Sequence, residues 1–202
     1  MAKSLNQSRR PLGWLLMLVA GLILIFTAGY IPDEGLLHEF NDVLGFLLVV
    51  MCTFGRVFTT AFIGGLKNTD LIATGPYGLV RNPLYFFSFL GVLGLGVMSN
   101  RLSVLLLLVG GFALIYSLLI RREEAYLQQK FGAKFTAYCQ RVPALLPRWG
   151  AKMVIPPEVT IRPQYLLNAM RDASGWYLAV VLLELIERLH AMGWLGTWGV
   201  VV

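Results

Sequence analysis

Two short polar strips hold most of the side chains in this 202-residue chain that can do chemistry. The first is Thr74-Gly75-Pro76-Tyr77-Gly78-Leu79-Val80-Arg81-Asn82-Pro83-Leu84-Tyr85. The second covers 121–149 and opens on Arg121-Arg122-Glu123-Glu124. Arg81 offers a flat guanidinium that can grip a carboxylate or a phosphate through two parallel hydrogen bonds. Its plainer use is to anchor a helix end at a membrane surface. Glu123 and Glu124 can take a ligand ammonium. Their plainer use is surface pairing with Arg121, Arg122 or Lys130, worth only about 0–1 kcal/mol. At helical spacing Glu124, Gln128 and Phe131 share one side, and Glu123, Leu127 and Lys130 another. Two histidines, His38 and His190, and two cysteines, Cys52 and Cys139, have no metal-ligand spacing, so no metal is expected.

The elements that must position these strips are membrane helices. Residues 12–31, 83–100 and 102–120 carry no charge, and 43–66 carry one, Arg56. About 20 apolar residues cross a bilayer core as a helix, and continuous runs favour helices over strands. Hydrophobic residues make up 57% of the chain and charged residues 14%. A soluble domain has about 45–50% and about 25%, so a water-soluble globule is excluded. Pro83 can open a helix because the first turn tolerates a missing N–H, and Phe131-Gly132 has the form of a helix end. The 83–100 and 102–120 runs, joined by a very short link, must form an antiparallel hairpin. Gly91, Gly94 and Gly96 of the first arm and Gly110 and Gly111 of the second suit close packing.

Lys3, Arg9 and Arg10 precede the first run, and Asp33, Glu34, Glu39 and Asp42 follow it without a Lys or Arg. Lys67 and Arg81 fall in the next loop, and a basic cluster follows residue 120. That alternation predicts both the N-terminus and the segment after the fourth span inside. It also accounts for the net charge of +6 without a nucleic-acid partner. Both polar strips then lie on the cytoplasmic side, flanking the hairpin.

Read in order, GPYGLVRNPLY and then EEAYLQQKFGAKFTAYCQRVPALLP resemble the isoprenylcysteine carboxyl methyltransferase family and its phospholipid methyltransferase relatives. The resemblance covers about 74–150. It implies a membrane-embedded methyltransferase using S-adenosylmethionine on a lipid or lipidated acceptor. Carried over by position, Tyr77, Arg81, Asn82, Pro83 and Tyr85 would line the cofactor site. Glu123 and Glu124 would face the cofactor's ammonium or ribose. Tyr138 and Arg141 would lie nearer the acceptor, with Arg141 and Glu124 as the catalytic pair and Arg141 orienting a carboxylate. One departure is Asn82, where the family usually has histidine; Asn also occurs there in some phosphatidylethanolamine methyltransferases. Methyl transfer needs donor and acceptor held in line and water kept out. No nucleophilic serine, cysteine or metal is required.

The expected fold is an all-α integral membrane protein with about four transmembrane helices. Residues 1–66 form two N-terminal spans, 67–150 the methyltransferase core, and 151–202 a linker with a hydrophobic helix. The two uncharged pieces of that tail, 173–183 and 192–202, are each too short to span alone. An interfacial or bundle-packed helix is the first reading and a fifth span the second. The reaction expected is carboxyl methylation of an isoprenylcysteine-like group, with phospholipid amine methylation as the alternative. The expected location is a prokaryotic inner membrane with the site on the cytoplasmic side. An NADPH-dependent reductase and a non-enzymatic transporter or scaffold are the rival classes.

Overall fold

The computed structural model describes residues 2–29, 35–63, 70–196 and 199–201. Asp33, Glu34 and Lys67, used above for orientation, lie outside the described residues. Among the described residues the regular elements are helices and two three-residue strands, and 142–162 is a long irregular segment. The helices are α1 (Ala2–Phe26), α2 (Leu36–Ile63), α3 (Pro76–Leu79), α4 (Pro83–Met98), α5 (Leu102–Phe131), α6 (Ala133–Arg141) and α7 (Pro163–Ala191). The strands β1 (Thr27–Gly29) and β2 (Gly199–Val201) pair in parallel, with Thr27 opposite Gly199.

α2 and α5 are long and apolar enough to cross a membrane, and 15–26 and 83–98 are shorter apolar helical stretches. Leu47, Phe54, Leu106, Leu114 and Leu118 point outward. Water would penalise that surface, whereas lipid covers it without cost. This is an integral membrane helical bundle. Its core joins Leu24 of α1, Val49 of α2, Leu95 of α4, Leu108 and Phe112 of α5, and Leu183 of α7. A smaller cluster of Phe135, Tyr138 and Val142 fastens α6 to Leu127 and Leu71.

The tightest packing is α2 on α4 rather than within the α4–α5 hairpin. A Cβ on Gly94 would come within 2.5 Å of the Gly45 carbonyl oxygen, and one on Gly91 would meet Cys52 and Trp176 at 2.7 Å. Only Gly96 serves the hairpin, against Leu105. Gly111 meets Leu16 of α1, and Gly110 meets nothing within 4 Å. The hairpin link turns at Asn100 with φ 51. Asparagine is among the few residues that tolerate this conformation. The Asn100 side chain donates to Asp42 at 3.0 Å and accepts from Asn41 at 2.9 Å.

α7 packs on the bundle, one of the two forms that the first reading of the tail allowed. Its 29 residues extend about 43 Å at about 1.5 Å per residue. It begins beside the polar strips, where Tyr165, Asn168 and Asp172 share a cavity with Arg81. In mid-bundle the hydroxyls of Tyr177 and Thr53 are 2.8 Å apart. At its far end His190 lies 3.1 Å from the Ile25 carbonyl, and Glu187 lies 3.9 Å from Arg101. Val181 and Leu185 are exposed like the outward side chains of α2 and α5, whereas Leu178 and Leu182, also exposed, line the cavity. α7 is therefore a helix packed along the whole length of the bundle, and Arg188, which the fifth-span reading would bury with Glu184, is exposed. The last described residues pair with β1 at the end where α1 finishes, so they do not share an end with the start of α1.

Candidate functional site

The two polar strips meet at one end of the bundle, and the backbone itself joins them. The Arg81 N–H donates to the Pro143 carbonyl at 2.8 Å, and the Asn82 N–H to that of Ala144 at 3.1 Å. The approach to this joint needs a glycine. Gly75 has φ 58, and a Cβ there would strike the Phe62 ring at 2.4 Å. Its N–H is held by the Val154 carbonyl at 2.8 Å. Pro83 then opens α4, and Asn82 before it is non-helical, as expected of a residue preceding proline.

Arg81 grips Glu124 with two prongs, Nε to Oε1 at 2.9 Å and Nη2 to Oε2 at 3.1 Å. Its Nη1 donates to the carbonyls of Val142 at 2.6 Å and Cys139 at 3.2 Å. Asn82 Nδ2 adds bonds to Glu124 at 3.2 Å and to the Ala144 carbonyl at 3.0 Å. Burial works against the Arg81 charge, but the hydrogen bonds and field of Glu124 outweigh it and hold the guanidinium above its ordinary value. The two side chains are 14% and 23% exposed. The pair thus ties the entry of α4 to α5 and to the segment after α6.

Glu123, one residue earlier and about 100° round the helix, has a different setting. It lines the large cavity and accepts the Tyr85 hydroxyl at 2.7 Å. Tyr138 donates to the Tyr77 carbonyl at 2.6 Å, which fixes α6 against α3. Burial keeps both phenols protonated well above the ordinary tyrosine range; nearby Glu123 adds to the effect at Tyr77, and the Arg81 charge opposes it at Tyr138.

The cavity has a volume of about 1040 Å³, at the upper end of the usual range of about 300–1,000 Å³ for small-molecule sites. One end is polar, with Asp70, Asn82, Glu123, Tyr138 and Asp172. The other runs between α1, α4, α5 and α7 over Leu24, Leu95, Val104 and Ile186. An aromatic column lines the middle: Tyr85 lies edge-on to Tyr116 at 5.1 Å, and Tyr116 stacks on Phe112 at 3.9 Å.

Of the residues singled out by sequence, Tyr77, Arg81, Asn82, Pro83, Tyr85, Glu123 and Tyr138 line this cavity. Glu124 is brought to the same place but faces Arg81. Arg141 does not line the cavity: it is exposed on α6, with its Nε on the Ala137 carbonyl at 3.3 Å, beside an adjoining cleft that shares Asp70 and Tyr138 with the cavity. Sequence spacing alone missed Asp70, Tyr116, Asn168 and Asp172. Arg56 did leave a signal, as the one charge within the apolar runs.

Residues 43–134, from α2 into α6, match the phospholipid methyltransferase family. The nickel-cobalt-cadmium resistance protein NccN of Alcaligenes xylosoxydans xylosoxydans is 36% identical over 192 residues, covering 92% of this chain and 86% of its own. The cobalt-zinc-cadmium resistance protein CzcN of Cupriavidus metallidurans is 44% identical over 151 residues, covering 74% of this chain and 68% of its own. A bundle that brings its two polar strips to one mouth, with a phospholipid methyltransferase match over the segment that builds it, supports a membrane methyltransferase, and the chain belongs to one family with NccN and CzcN.

Proposed function

We propose that this protein uses S-adenosylmethionine to methylate a lipid-borne acceptor. The observation that carries the reading is the single cavity, polar at one end and apolar along the bundle. A soluble donor can enter the polar end, and a lipid chain can fill the apolar shaft. The polar end suits the donor: Glu123 offers a carboxylate to an ammonium or a ribose diol, and Tyr77, Tyr85 and Tyr138 offer aromatic surface. When bound, S-adenosylmethionine supplies a methyl group whose transfer breaks a sulfur–carbon bond, leaves the electron pair on sulfur and forms an oxygen–carbon or nitrogen–carbon bond on the acceptor. The chain's own residues hold and shield. The Arg81–Glu124 pair and the joined backbones fix the mouth, and the aromatic column keeps water from the reacting groups.

The acceptor is a carboxylate such as that of an isoprenylcysteine-like lipid, or the amine of a phospholipid headgroup. A carboxylate needs no base, whereas an ammonium must first lose a proton; Glu123 and Asp172 at the polar end are the groups to take it. The family match supports the phospholipid choice. The Lys and Arg distribution supports a cytoplasmic mouth, in the inner membrane of a prokaryote. The names of the two relatives speak of metal resistance; a methyltransferase serves such a phenotype by altering the lipid or lipid-anchored components of the membrane.

The test is calorimetric titration of the detergent-purified protein with S-adenosylmethionine, followed by transfer of a labelled methyl group to lipid extract. Saturable binding that weakens in Glu123→Gln, with label in the lipid fraction, is the expected result. A folded protein that binds no S-adenosylmethionine overturns the proposal, and binding of NADPH in its place would select the reductase class.

A further inference from the structure

Between the polar mouth and the apolar shaft the cavity holds one more cation. Arg56 lies on α2, seven residues before its end at Ile63, so about 10 Å inside the bundle at about 1.5 Å per residue. Its Nη1 donates to Ser88 Oγ, and Ser88 in turn donates to the Leu84 carbonyl at 2.7 Å. The Arg56 Nε is buried and has no hydrogen-bond partner. No carboxylate among the described residues pairs with Arg56. Arg56 and Ser88 both line the cavity. Arg81 lines the same cavity and is in contrast saturated by Glu124 and two carbonyls.

A charge at membrane depth is costly and is normally matched by a partner. A buried donor without one costs about 1–3 kcal/mol. Arg56 has neither a carboxylate nor a full set of acceptors: its Nε is sealed within the protein, whereas its Nη2 makes no hydrogen bond and is not sealed, which leaves it the donor open to the cavity. We infer that Arg56, with Ser88 beside it, binds the anionic oxygens of an amphiphile, a phosphate or a carboxylate, whose chain lies along the Leu95–Ile186 shaft. This rests on the acceptor reading above and makes it more specific: the acceptor carries a negative group about two helical turns below the mouth. Planar two-pronged recognition by guanidinium suits either anion.

Trp176 lines the cavity and packs against Gly91, so it reports on an occupant. The probes are dodecyl phosphate, dodecanoate and a neutral dodecyl glycerol ether, each with bromine at the chain end, which quenches nearby tryptophan. They are titrated into the purified full chain in a neutral detergent. The expected result is that both anionic probes quench at about tenfold lower concentration than the neutral one, the factor that corresponds to ~1.4 kcal/mol. Arg56→Gln should abolish that preference, Arg56→Lys should retain part of it, and Trp176→Phe should remove the quench that depends on the anion. If phosphate is the stronger anion, a phospholipid is the source; if dodecanoate is, an acidic lipid. The inference is overturned by equal quenching from anionic and neutral probes in the wild type. It is overturned equally by a preference that survives Arg56→Gln, or by a quench that survives Trp176→Phe. A parallel titration of the wild type with S-adenosylmethionine reads the methyltransferase proposal separately, since it involves no anionic probe.

Discussion

Each end of the bundle is built round an arginine, and the two are used differently. At the mouth Arg81 holds Glu124 with side chains 14% and 23% exposed, and polar groups beside the pair look into a large cavity. At the opposite end the Arg101 side chain is 4% exposed. Its Nη1 donates to the Ser99 carbonyl at 2.9 Å and its Nη2 to the Thr27 carbonyl at 3.0 Å, with Glu187 at 3.9 Å. There the cation closes loops of its own chain. Similar residues thus make a fastening at one end and the frame of a cavity, the candidate site, at the other. What separates them is whether neighbouring polar groups point at each other or into a space.

The comparison is easiest to break at the closed end. Arg101→Ala leaves two carbonyls without their donor and removes the buried cation beside Glu187, and should cost about 3–5 kcal/mol. Melting in detergent should show a large drop, while the protein that remains folded binds S-adenosylmethionine with unchanged affinity. A loss of affinity without a melting shift would show that the closed end takes part in binding.

The two neighbouring glutamates sharpen it next. Glu123→Gln should weaken S-adenosylmethionine binding about tenfold, in line with a charge-assisted hydrogen bond of about 1.5–3 kcal/mol, and barely move the melting temperature. Glu124→Gln should lower the melting temperature more than it lowers affinity. Reversed results would exchange the roles assigned to them.

Between the ends, Gly94→Ala forces a methyl group against the Gly45 carbonyl, and overpacking of this kind costs about 1–3 kcal/mol. Gly110→Ala meets nothing within 4 Å and should stabilise α5 by about 0.5–1 kcal/mol. Equal effects on melting would contradict the pairing of α2 with α4.

The smallest effect is in alkali. The folded state keeps the Tyr77 and Tyr138 phenols neutral above their ordinary value of 10.0. The unfolded chain ionises them near that value. Their contribution is therefore complete below about pH 10 and falls as pH rises above it. Melting followed from pH 9 to 11 should show this decline, and Tyr138→Phe should flatten part of it at the cost of about 1 kcal/mol for the lost hydrogen bond.

Much of this arrangement can be read from the residues. Uncharged runs mark four of the bundle helices, Pro83 opens α4, and Gly132, at φ 51, closes α5. The meeting of the two strips follows from the hairpin between them. The extent of the helices does not follow, because a helix need not stop where its apolar run stops. α2 reaches back through Asp42 and Glu39 to Leu36, and α5 continues past Ile120 to Phe131. α7 is the clearest case. Arg171, Asp172, Glu184, Glu187 and Arg188 interrupt its apolar run, but Asp172 turns to the cavity and Glu187 to Arg101, so two of these charges find their use within the bundle. Spacing separates the faces of Glu123 and Glu124; only the position of Arg81 decides which of them looks into the cavity.

α7 bears on the parity of the chain. A fluorescent protein joined ahead of α1 and an alkaline phosphatase joined after β2 share one compartment if the bundle crosses four times. They work in different compartments if α7, which runs from the mouth to the β1–β2 pairing, crosses as well. In that second case one end of the polypeptide offers a handle to whatever lies across the bilayer from the mouth.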